Sequence, residues 1–203
     1  MALKSDRLNP IRNWAIARLQ RRLARDEKGV AAIEFAFIAP IMILMLVGTV
    51  DMSGAVALNW RMVQLNRTLT DLSSQSASLS TADLNNIFTA SASVLSPYRG
   101  PAPKMVISSL VIDSGKIARV CWSDARNGGV ALARGSVVSL PNTDMATPNT
   151  SLIMATTALS FSGIFTPDFP MSAKPLYFRP RIGDRSTNVE QVVREGVAAC
   201  PAT

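Results

Sequence analysis

Between Val30 and Val50 the chain runs for 21 residues with one charged side chain, Glu34, and one proline, Pro40. As an α-helix rising 1.5 Å per residue, this stretch spans roughly 30 Å, the thickness of a bilayer's hydrocarbon core. It predicts a transmembrane helix over residues 30–50. Pro40 removes a backbone donor and tends to kink a helix, although membrane helices tolerate proline. Glu34 lies about one turn inside the span, where a carboxylate is unfavourable, though less so than at the midplane. On its own terms Glu34 could snorkel to the headgroups, be protonated without a role, or have a partner.

Charge fixes the expected orientation. The net charge of +7 would suit a nucleic-acid binder if it were spread over a domain. Residues 1–28 instead hold eight basic side chains (Lys4, Arg7, Arg12, Arg18, Arg21, Arg22, Arg25, Lys28) against Asp6, Asp26 and Glu27, a net +5 that leaves only +2 for the rest. A basic leader before an apolar span keeps that side in the cytoplasm, which puts the C-terminal side outside. The leader reads either as a short basic amphipathic helix over residues 8–25 or as a solvated positive arm. The run is too long for a secretory h-region and lacks a small-x-small cleavage site. Hydrophobic residues make up 48% of the chain, high for a soluble domain, and the span accounts for the excess.

The chain has no histidine, which removes the commonest general base and zinc ligand. No G-x-S-x-G, P-loop, dinucleotide glycine pattern or paired-cysteine zinc motif occurs. Ser123-Asp124 has no base to work with. These features point away from an enzyme, a cofactor, a small-molecule substrate and nucleic acid. Cys121 and Cys200, the only cysteines, both follow the span. Outside the cytoplasm an even pair favours a disulfide over a metal site; the alternative is two buried, unpaired thiols. A bridge would pin the C-terminal tail to a strand.

Asp51 marks the outer boundary of the span, and the helix is expected to continue over residues 51–79. Leu58, Met62, Leu65, Leu69, Leu72 and Leu79 form a heptad-like seam, with Ser76 at the missing step. The seam could pack on the protein's own domain or also meet equivalent helices; sparse flanking charges favour the first. Ser80-Thr-Ala-Asp83 reads as a capping box opening a second helix through Leu95. Pro97, Gly100, Pro101 and Pro103 then break the chain. Strands are expected over Met105–Asp113 and Ile117–Trp122, joined by a Ser114-Gly115 turn. Further strands are expected over Val137–Leu140, Leu152–Phe165 and Leu176–Arg179, with another turn at Asn127-Gly128-Gly129. Trp122, Phe161, Phe165, Phe169, Tyr177 and Phe178 are expected in the core. The fold class is α+β: a long N-terminal transmembrane helix extending outward into a small mixed domain, residues 80–203, with a second helix and an antiparallel sheet.

Gly29 followed by Val30-Ala31-Ala32-Ile33-Glu34-Phe35 resembles the processing site of type IV prepilins. More narrowly, Gly29 through Pro40 resembles the TadE/TadG-like family of pseudopilins of the tight-adherence, Flp-type system, with its G-x-x-A-x-E-F-A-x-x-x-P pattern. The likeness covers about residues 27–70. It implies that a membrane-embedded prepilin peptidase cuts between Gly29 and Val30, removing residues 1–29 and creating an α-ammonium on Val30. Glycine suits such a site because the backbone can approach closely without a Cβ. The resemblance further implies that Glu34, flanked by Phe35 and followed by Pro40, neutralises a neighbouring subunit's ammonium and sets axial register. The implied partners are the membrane, the peptidase, other Tad/Flp pilins and pseudopilins, and the pilus assembly platform. The implied location is a bacterial inner membrane, crossed once, with the C-terminal domain periplasmic or pilus-associated. The rival reading is an unprocessed, signal-anchored envelope protein that never enters a filament.

Overall fold

A computed structural model of the chain describes residue 18, residues 27–98 and residues 100–200, without the side chains of residues 27 and 28. The leader helix expected over residues 8–25 lies, apart from helical Arg18, outside the described residues. The chain divides into two compact units, Met1–Thr49 and Val50–Thr203.

In the first unit the described chain is the N-terminal half of helix α1, whose full extent is Glu27–Ser74. The helix runs through Pro40 without a break. From Gly29 to Val50 no residue is buried, and Phe35, Phe37, Leu44 and Met45 are each about two-thirds exposed or more. A helix is the form this stretch must take in lipid, since it satisfies its backbone donors internally. The hydroxyl of Thr49 follows the same logic, donating to the carbonyl oxygen of Leu46 at 2.7 Å.

In the second unit α1 acquires a buried face. Leu58, Met62, Leu65 and Leu69 are 3% exposed or less, each burial worth about 1.5–3 kcal/mol relative to exposure. The seam therefore packs on the protein's own domain. The helix stops at Ser74, five residues short of the expected end, in a Ser-rich stretch. Its last carbonyl accepts the N–H groups of Arg181 at 2.9 Å and Ile182 at 3.4 Å. Leu79 is buried in strand β1 (Ser78–Leu79), which pairs in parallel with β8 (Val193–Arg194). Helix α2 (Thr81–Ala92) opens with the expected capping box: Ser80 Oγ accepts from the Asp83 N–H at 3.1 Å and Asp83 Oδ2 accepts from the Ser80 N–H at 2.9 Å. The Ser80 hydroxyl also donates to Asp83 Oδ2 at 2.7 Å, and this bond first, then that from the Ser80 N–H, holds the Asp83 carboxyl below its usual range. A 3-10 turn, Ser93–Leu95, completes the helical stretch, and Leu84, Ile87 and Phe88 face the core.

The main sheet is antiparallel. It contains β2 (Lys104–Ile112), β3 (Ala118–Arg126), β4 (Val137–Val138), β5 (Thr150–Phe161), β6 (Phe169–Ser172) and β7 (Leu176–Phe178). The order is β4-β3-β2-β5-β6, with β7 also on β5, so that β6 and β7 share one broken edge. Strand β6 was not expected; Pro170 is tolerated there because the strand is an edge. Residues alternate cleanly along β5. Ile153, Ala155, Leu159 and Phe161 join α1 and α2 in one core, while Leu152 and Met154 join Leu110, Ile112, Val120 and Ala146 in a second core on the opposite face.

Strand β3 breaks that alternation. Its register against β2 shifts from Ser109↔Trp122 to Leu110↔Val120, leaving Cys121 as the extra residue of a bulge. Consecutive residues Cys121 and Trp122 thus both face the helical core. Beyond the bulge β3 runs past its expected end at Trp122, pairing with β2 as far as Met105↔Arg126.

Candidate functional site

The residues marked by sequence lie on about three exposed turns of α1, from Gly29 to Pro40, on the buried part of β3 at Cys121, and in the C-terminal tail at Cys200. Val30 is 57% exposed and Phe35 68%, and Glu34 and Pro40 are exposed as well. Val30 and Glu34 are four residues apart in a helix and so share a face. A Cβ added at Gly29 would meet nothing within 4 Å. Nothing inside the described chain requires glycine there.

Cys121 and Cys200 form a disulfide with 5.7 Å between Cα atoms and a separation of 79 positions in sequence. Gln191, fully buried, holds the same tail by both ends of its amide: Nε2 donates to the Cys200 carbonyl at 2.7 Å, and Oε1 accepts from the Cys200 N–H at 3.2 Å. Trp122 Nε1 donates to the Val192 carbonyl at 2.7 Å. The tail is therefore fastened at several points to the bulged strand and to itself. Sequence marked Cys121, Cys200 and Trp122 but not Gln191, whose role depends on contacts with no local signature.

Asp51 does more than mark the end of the apolar run. Its side chain is buried, 5% exposed, and caps the β5–β6 loop. Oδ1 accepts from the Ile164 N–H at 2.8 Å; Oδ2 accepts from Phe165 N–H at 3.1 Å and Thr166 N–H at 3.2 Å. Gly163 makes room for this: a Cβ there would lie 2.7 Å from Asp51 Oδ2. The three N–H donors hold the Asp51 carboxyl below its ordinary value of 3.8, that of Ile164 contributing most, followed by Phe165. A depressed carboxyl stabilises the fold fully above its unfolded value and loses that contribution as pH falls through the folded one. Asp51→Asn should lower the urea midpoint of the detergent-solubilised chain at neutral pH, and the gap from the unaltered protein should close as pH falls below about 4. A gap independent of pH would contradict the carboxylate's role.

The loop so capped corrects an expectation. Trp122 and Phe161 are buried, and Tyr177 and Phe178 are half-buried, but Phe165 is 71% exposed and Phe169 38%. Phe169 leans on Phe161 with ring centroids 5.3 Å apart, while Phe165 turns outward. The core is complete without it.

Among the described residues one helix is long and apolar enough to cross a membrane, and its place ahead of an α+β unit suggests a membrane anchor. Residues 29–77 match the family described as TadE-like protein. The matched 49 of 203 residues coincide with α1 and little else. No curated protein and no solved structure matched the chain.

Proposed function

We propose that this protein is a minor pseudopilin of a Flp-type, tight-adherence pilus system, working by membrane anchoring and subunit packing and not by catalysis. The observation that carries the reading is the Gly29–Pro40 pattern, set in an exposed apolar helix at the head of the TadE-like segment. The TadE-like segment suggests a Tad pilus-related role and pilus-system partners. The basic leader supports a cytoplasmic N-terminus and a periplasmic domain across a bacterial inner membrane. In that setting a prepilin peptidase cuts after Gly29, whose missing Cβ suits a protease that must bind the backbone closely. The Val30 ammonium then pairs with Glu34 of a neighbouring subunit in the filament, where either charge left alone is penalised. Phe35 and Pro40 shape the helix surface beside that pair.

Gly29→Trp tests the cut. In cells carrying the pilus system the variant should accumulate as a slower-migrating precursor and be missing from the sheared-pilus fraction. Migration identical to the unaltered chain would contradict processing at this site and favour an unprocessed envelope anchor.

A further inference from the structure

We propose that the β5–β6 loop, with Ile164 and Phe165 at its tip, is a second membrane contact that enters the interfacial region of the leaflet where the apolar helix emerges. The proposal rests on the reading of residues 30–50 as a membrane span, and not on the pilus role. The first argument is position. The N–H groups of Ile164, Phe165 and Thr166 are hydrogen-bonded to Asp51, the residue directly after Val50, where the apolar run ends. The tip is thus held at the level at which the chain leaves the hydrocarbon.

Chemistry supplies the second argument. Ile164 is 68% exposed and Phe165 71%, although Phe161 and Phe169 at the loop's two ends pack on each other and Phe161 is buried. Gly163 and the Asp51 carboxylate fix the loop's backbone, so the outward direction of the two side chains is built in. Large apolar tips with a polar backbone satisfied from within suit the boundary between headgroups and acyl chains. From Thr150 to Ala173 the only charge is Asp168, which accepts a hydrogen bond from the Ser162 hydroxyl. Lys104, exposed, opens β2 opposite Ala158, at the same end of the sheet as the loop, where an ammonium suits lipid phosphate.

The test places the photoreactive residue p-benzoylphenylalanine at position 165 of the full chain, reconstituted in phosphatidylethanolamine–phosphatidylglycerol vesicles. Position 43, within the span, serves as the anchoring control. Position 182 serves as the distant control: Ile182 is 57% exposed, and its N–H bonds to Ser74, 23 residues and roughly 35 Å along α1 from Asp51. On illumination, positions 43 and 165 should gain the mass of one phospholipid and position 182 should not. A lipid adduct at 43 without one at 165 overturns the loop contact and leaves the anchor standing. No adduct at 43 overturns both. A chain-to-chain adduct at 165 would assign the tip to a neighbouring subunit instead, and equal labelling at 165 and 182 would deny any specific placement. Asp51→Asn should reduce labelling at 165 several-fold while leaving 43 unchanged; undiminished labelling at 165 would remove the carboxylate's positioning role.

Discussion

Glu34→Val is expected to leave membrane insertion intact and to reduce filament incorporation of this subunit by orders of magnitude. The two halves of the result have separate causes. Insertion depends on transfer of each side chain into lipid, and an apolar residue is favoured over a carboxylate there, so the variant should insert at least as well. Assembly depends on a pair. An ammonium and a carboxylate about 4 Å apart at an effective dielectric near 20 attract by about 4 kcal/mol, which corresponds to roughly a thousand-fold in an association equilibrium. The loss is compounded because the Val30 ammonium would remain, desolvated and unpaired. Quantifying the chain in membrane and sheared-pilus fractions separates the two effects. Unimpaired incorporation would remove the account of why a carboxylate stands in this span.

The second large effect concerns stability. Replacing both Cys121 and Cys200 by serine should cost about 4–5 kcal/mol, the chain-entropy value for a loop closed over 79 residues. Against a typical domain stability of about 5–15 kcal/mol this is a large fraction. Changing both cysteines avoids leaving a single reactive thiol. The tail still has Gln191 and the Trp122–Val192 hydrogen bond, so loosening should begin near Cys200 and spread inward. Limited proteolysis with mass analysis should locate early cuts after residue 194, together with a fall in the denaturation midpoint. An unchanged midpoint would mean that the bridge adds nothing to what Gln191 already holds.

Local features were legible in the sequence and long-range ones were not. The capping box at Ser80 and Asp83 is a reciprocal contact over three residues, and it formed as written. The β2–β3 hairpin and the turn at Asn127 and Gly128, both at positive φ, follow from residue types at fixed offsets. The seam Leu58–Met62–Leu65–Leu69 obeyed helical periodicity and found the core. Leu79 did not belong to it, because periodicity cannot see a chain leaving the helix to pair with Val193–Arg194 more than a hundred residues later. Asp51 read as a boundary marker because its partners at residues 164–166 lie far along the chain. Phe165 read as core from its type alone. Its exposure comes from a loop geometry that Gly163 and Asp51 impose together. From Gly29 to Pro40 the pattern is one contiguous stretch of exposed helix, and the roles of its residues are the proposal that the experiments test.

The central claim is that residues 1–29 are removed and that the amine thereby created gives Glu34 its purpose. N-terminal sequencing of the protein recovered from cells carrying the pilus system tests it most directly. A mature chain beginning at Val30 is the predicted result. A chain that retains Met1, or one that begins well beyond Glu34, would contradict the account.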